Sequence, residues 1–114
     1  MKKILISFAL TICYSCISFT QTQTEMNVSA AAEYSKADKE LNLLYSQLIK
    51  TLDPTQKAAL IESEKAWLKY RDSHCKFASM GYQGGSMYAM IYNGCLTDLT
   101  KKRTIELQEV LEDE

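Results

Sequence analysis

The chain has 114 residues, with 13 basic and 14 acidic side chains and one histidine, giving a formal net charge of −1 and a hydrophobic fraction of 46%. A balance this close to neutral, on its acidic side, argues against nucleic acid or an anionic membrane as a partner. A single histidine also leaves little from which to assemble a metal site or an acid–base pair.

Lys2 and Lys3 precede a run from Ile4 to Phe19 without a charged residue, and Gln21-Thr22-Gln23-Thr24-Glu25 then turns polar. About 16 apolar residues fall short of the roughly 20 that a membrane span needs. Residues 1–20 therefore read as a secretory signal peptide, cut near Ser18 to Thr20, and the protein as exported, to the periplasm or outside the cell. Cys13 and Cys16 lie within this leader. Acylation at either would be the one route to membrane attachment, but Ile12 before Cys13 and Tyr14-Ser15 before Cys16 do not resemble a lipobox, so both read as small apolar fillers. Removal of the leader leaves roughly 94 residues, one domain near the lower size limit for a self-sufficient core. Loss of Lys2 and Lys3 leaves 11 basic against 14 acidic residues, a net charge of −3.

Residues 21–28 read as a short polar segment and 29–112 as a helical domain. In its first piece, from about Ser29 to Thr51, Tyr34, Ala37, Leu41, Leu44, Leu48 and Leu52 recur at spacings of three and four, one face of an amphipathic helix, with Ser29 or Asn27 as its N-cap. The second piece opens at Asp53-Pro54-Thr55-Gln56, where Asp53 caps, Pro54 takes the first helical position and Gln56 completes a capping box. Leu60, Ser63, Trp67, Tyr70 and His74 or Phe77 form its inward stripe, with Ile61, Glu64, Leu68, Arg71 and Cys75 beside it. Gly81 is expected to end this helix in the left-handed conformation.

A third piece, from Ser86 to about Leu111, places Tyr88, Ile91 or Tyr92, Cys95, Leu99, Arg103, Leu107 and Val110 inward, and Gly94 allows a break near Tyr92 to Gly94. The fold class is thus all-α, a small three-helix antiparallel bundle whose first two helices are neighbours across a very short turn. Beyond the leader only Cys75 and Cys95 remain. In an oxidising compartment they are expected to form one disulfide, closing a loop of about 20 residues worth roughly 3 kcal/mol.

Polar residues interrupt the apolar pattern at Asp38 and Asn42 on the first helix, Arg71 and Asp72 on the second and Arg103 on the third. A buried arginine must pair, and Asp38 is the expected partner of Arg71 or Arg103. Three blocks carrying these residues, Ala37-Asp38-Lys39-Glu40-Leu41-Asn42-Leu43-Leu44-Tyr45-Ser46-Gln47-Leu48, Trp67-Leu68-Lys69-Tyr70-Arg71-Asp72-Ser73-His74-Cys75 and Cys95-Leu96-Thr97-Asp98-Leu99-Thr100-Lys101-Lys102-Arg103-Thr104-Ile105-Glu106-Leu107, resemble the N-terminal domain of the LprI-type lysozyme inhibitors of secreted bacterial proteins. With their connections they cover nearly all of the chain beyond the leader. Many relatives carry a further cysteine pair in or ahead of the first helix; Asn27 to Glu33 contains none, so this chain looks like a single-disulfide form.

Asp38, Asn42, Arg71 and Arg103 are expected to form a buried structural network that sets helix register. Trp67 reads as core and His74 as an incidental surface residue, while Glu62, Glu64 and the acidic C-terminus read as solvated faces. With both remaining cysteines bonded and one histidine, no nucleophile–base pair, metal site or cofactor site is expected, and the protein is not expected to be an enzyme. The candidate recognition element is the loop Met80 to Tyr88, with Tyr82, Gln83, Met87 and Tyr88 as partner-binding residues. The resemblance implies a protein partner, a lysozyme-type muramidase whose cleft is blocked; the competing reading is an accessory module of the envelope that binds another component.

Overall fold

The computed structural model describes residues 2–113, with side chains described from Thr22 to Asp113. The side chains of the expected leader, residues 1–20 with Cys13 and Cys16, lie outside the described residues. Helix α1 spans Lys2–Thr51, α2 Pro54–Ser79 and α3 Tyr88–Asp113, with a 3-10 turn at Met80–Tyr82 and no strand among the described residues.

Leu52 and Asp53 alone separate α1 from α2. The Asp53 carboxylate accepts from the Gln56 N–H at 2.8 Å and the Gln56 side-chain oxygen accepts from the Asp53 N–H at 3.0 Å. With Pro54 at the first helical position, this capping box satisfies donors that a helix start leaves open and reverses the chain in two residues. The core follows from the α1 stripe: Ala37, Leu41, Leu44 and Leu48 are buried, joined by Leu107 of α3. Leu52, Leu60, Trp67 and Leu111 pack around that cluster.

Helix α1 packs most extensively along α3, which also packs against α2. Helix separation depends on the side chains at the crossing. Among the buried residues Ala37 of α1 and Thr97 and Thr100 of α3 are small, whereas α2 reaches the shared core through the larger side chains of Leu60 and Trp67. Thus α2 is a neighbour of α1 in chain order and across the core, but α3 is the helix along which α1 packs most extensively.

Four local expectations are corrected. Helix α1 does not begin at Ser29 or Asn27; the helix runs through both, and Gln23 and Asn27, one turn apart, are bonded to each other at 3.0 Å. On α2 the inward stripe is rotated by about one position. Arg71, Cys75 and Ser79 are buried, with Glu64 and Trp67 half-buried above them, while Tyr70, His74 and Phe77 face solvent. On α3 the buried residues are Leu96, Thr97, Thr100 and Leu107, and Leu111 turns inward in place of Val110. Finally, α3 is continuous through Gly94. One glycine costs only about 1 kcal/mol of helix propensity, and the Asn93 amide donating to the Ala89 carbonyl and the Thr97 hydroxyl donating to the Asn93 carbonyl tie the turns on either side.

The Cys75–Cys95 disulfide is present, with a Cα–Cα distance of 5.6 Å and a sequence separation of 20 residues. Cys75 is fully buried, so the bridge pins the last turns of α2 to the first turns of α3 from inside.

Candidate functional site

The segment closed by the disulfide starts where α2 runs out. The Ser79 hydroxyl, fully buried, donates back to the Cys75 carbonyl at 2.7 Å, and the chain tightens into the 3-10 turn. Gly81 does not take the left-handed conformation expected of it; Met80 follows α2 with right-handed helical angles. The left-handed glycine is Gly84, with φ of 79°. Gln83 has φ of −57° and ψ of 135°, and the Gly85 N–H donates to the Tyr82 carbonyl at 3.1 Å, so Tyr82 to Gly85 form a type II turn. A type II turn demands positive φ at its third residue, which is why a glycine stands at 84.

Helix α1 holds this loop from the other side. The Asn27 side-chain amide donates to the Ser86 carbonyl at 2.9 Å while its oxygen accepts from Gln23, itself buried. The stretch of α1 ahead of Ser29 is therefore part of the loop's support, a role that its polar composition does not announce. Gly81, Tyr82, Gln83, Gly85, Ser86 and Met87 line a shallow depression. Of the four candidate partner-binding residues, Tyr82, Gln83 and Met87 are exposed there, whereas Tyr88 is half-buried and stacked on Tyr92 with ring centroids 5.8 Å apart.

The structure brings part of the expected polar network together. Arg71, buried, sits 5.2 Å from the Trp67 ring centre and 5.4 Å from that of Tyr34. Its Nε donates to Asp72 at 2.9 Å, and its Nη1 lies 3.6 Å from Asp38 and 3.5 Å from the Thr100 hydroxyl. Arg71 thereby links all three helices. Asn42 bonds to Asp38 at 3.3 Å but is exposed, so it braces the carboxylate from the solvent side. Arg103 does not join Asp38. It also lies over Trp67, 5.8 Å from its ring centre, and pairs with Glu64 at 3.0 Å, with Glu106 at 3.1 Å and with the Ser63 hydroxyl at 2.9 Å. Glu64 is thus not solvated but nearly buried, its side chain 13% exposed. Its place on the row Glu64, Trp67, Arg71 and Cys75 was the available signal.

Burial pushes the Tyr34 phenol above its ordinary value near 10; the Arg71 guanidinium pulls it down, and Asp38 and Asp72 push it further up. Tyr92 is raised for the same first reason, burial, with Asp72 and Tyr88 adding to it. Both phenols are neutral at physiological pH, Tyr34 facing the Arg71 guanidinium and Tyr92 stacked on Tyr88. His74 stacks on Tyr70 at the exposed face of α2, with centroids 5.5 Å apart. Among the described residues no three His, Cys, Asp or Glu side chains are grouped to hold a metal ion, and no helix is long and apolar enough to cross a membrane.

Fold and site together define a disulfide-bonded helical domain whose arginines brace the interior and whose accessible chemistry is a tethered loop beside an exposed aromatic row. The chain belongs to the family described as Lysozyme inhibitor LprI, whose sequence model matches residues 13–107. It is 36% identical over 104 residues to a protein of Rhizobium meliloti (strain 1021) described as uncharacterized, the match covering 80% of this chain and 75% of that protein. Among solved structures it resembles the crystal structure of a DUF1311 family protein from Pseudomonas putida KT2440, with a TM-score of 0.71, 24% identity, and coverage of 75% of this chain and 90% of the other. That likeness supports the fold.

Proposed function

We propose that this protein is an exported, non-enzymatic inhibitor that binds a lysozyme-type muramidase and blocks its cleft. The family match over residues 13–107 carries the reading. The build of the loop supports it: a glycine-dependent turn, a disulfide beneath it and the Asn27 clasp from α1 present Tyr82, Gln83 and Met87 on a rigid support. A surface ordered before binding loses less entropy on association. Muramidases cleave with two carboxylates flanking a sugar groove, so inhibition needs only occlusion, and no bond in either protein is made or broken. Export rests on the Lys2-Lys3 start followed by the uncharged run Ile4 to Phe19. In this reading Asp38, Asn42, Arg71 and Arg103 keep the helices in register and do not touch the enzyme.

The test is an inhibition titration with the purified oxidised domain against a c-type and a g-type lysozyme. Tyr82→Ala with Gln83→Ala is expected to weaken inhibition while leaving the melting temperature unchanged. Absence of inhibition at high micromolar protein refutes the reading and leaves an accessory envelope module in its place.

A further inference from the structure

The two ends of the bundle differ in charge. At one end lie the α1–α2 turn and the last turns of α3, whose Leu52 and Leu111 pack on the same core cluster. Asp53, Glu109, Glu112 and Asp113 are all exposed there, against Lys50 and Lys57 as the nearby cations, so that end is acidic on balance. At the other end, the chain from Phe77 to Thr97, flanked by the exposed Lys76 and Asp98, contains no Asp, Glu, Lys or Arg, and the α1 stretch 22–32 that is bonded to it through Asn27 contains one charge, Glu25.

From this charge-free end stand apolar side chains that the loop alone does not account for. Phe77 is 72% exposed and Met80, one helical turn on, 59% exposed; Tyr82 and Met87, also exposed, line the loop depression that follows in the chain. Aromatic and methionine side chains left together in water mark an interaction surface.

The missing charges say what this surface fits. A muramidase groove takes neutral sugar rings and holds two carboxylates at its base. A plug bearing carboxylates is repelled there, as like charges brought together across an interface suppress binding. The acidic end of this bundle is such a plug and the Phe77 end is not, while the Tyr82 hydroxyl and the Gln83 amide offer donors to acid oxygens. Resting on the inhibitor reading above, we propose that the charge-free end enters the groove, with Phe77 and Met80 as apolar anchors beside the loop.

The experiment measures the inhibition constant of the whole oxidised protein against a lysozyme at several salt concentrations. Phe77→Glu and Met80→Glu are expected to weaken inhibition about tenfold or more, the loss of a buried interface anchor together with a like charge. Phe77→Lys is expected to weaken it less, and the wild-type constant to move less than about twofold across the range in which salt screens charge pairs. High exposure of both residues keeps the fold out of the result, which unchanged melting temperatures verify. If Glu109→Gln, Glu112→Gln and Asp113→Asn together abolish inhibition while Phe77→Glu retains it, the acidic end is the binding face and the proposal fails with the inhibitor reading intact. It fails in the same way if sedimentation shows a dimer that Phe77→Glu dissociates with inhibition unchanged, since a second copy then covers the patch. Absence of inhibition by the wild type removes both.

Discussion

Replacing Arg71 tests the physical account of the fold most sharply, because this one side chain touches all three helices. Its guanidinium lies between the rings of Trp67 and Tyr34 at 5.2 and 5.4 Å. Each such contact is worth about 0.5–1 kcal/mol when exposed and up to about 2 when desolvated. The 2.9 Å bond to Asp72 adds about 1 kcal/mol, discounted because Asp72 is half exposed. Asp38, at 3.6 Å and 39% exposed, adds less than that. Arg71→Ala also removes a buried aliphatic stem, so a loss of about 3 kcal/mol is expected. At about 4–8 °C per kcal/mol for a domain of this size, the melting temperature falls by roughly 12–24 °C. Arg71→Lys keeps the charge but loses the planar fork and its stacking, and is expected to lose about 1–2 kcal/mol; Asp38→Asn is expected to lose under about 1. Thermal and urea unfolding followed by circular dichroism measure all three. Wild-type stability in Arg71→Ala, or a larger loss in Asp38→Asn than in Arg71→Lys, would show that ring stacking around Arg71 does not hold the helices.

A helical glycine and a loop glycine respond in opposite directions. Gly94→Ala, in the interior of α3 with open space at the added methyl, raises stability by about 0.5–1 kcal/mol, while Gly84→Ala, at φ of 79°, lowers it by about 1 kcal/mol on strain alone. Thermal melts of the pair suffice. Alanine at both Cys75 and Cys95 removes a 20-residue loop closure and lowers stability by about 3 kcal/mol, read from urea titrations. On the alkaline side, the raised Tyr34 and Tyr92 phenols stay protonated in the folded chain while the unfolded chain ionises near pH 10. Their contribution is whole below that pH and is lost as pH rises from there through the folded values. Tyr34→Phe and Tyr92→Phe are therefore expected to flatten the alkaline fall in stability, and an unchanged slope in both would remove burial as the cause.

The parts of the fold that were legible are those where apolar spacing or turn chemistry acts alone. The α1 stripe from Ala37 to Leu52, the Asp53–Gln56 capping box and the Cys75–Cys95 bridge all stand as read. Helix α2 was misaligned because counting apolar residues assigns Tyr70 and Phe77 inward and Glu64 outward. The folded chain instead uses the ring faces of Trp67 and Tyr34 to accommodate Arg71 and Arg103, and a buried arginine draws its acid, Glu64, inward with it. The polar stretch before Ser29 concealed a helix for a related reason: Gln23 and Asn27 are polar because they hold the loop, not because they are solvated. Gly81 and Gly84 could not be ranked in advance, since either supplies positive φ and only the hydrogen bond from Gly85 to Tyr82 selects the second. The loop was recognisable as a candidate site from its tyrosine, methionine and glycine content, but the Phe77–Met80 face emerged only once α2 was set at its true rotation.

The measurement that bears most directly on the function is a stoichiometric titration of a muramidase with the oxidised protein, following cleavage of a soluble oligosaccharide so that whole-cell effects play no part. Loss of turnover that saturates at one inhibitor per enzyme, and that Phe77→Glu relieves without altering the melting temperature, is the expected result. Full turnover at a large molar excess of correctly folded, disulfide-bonded protein contradicts the account.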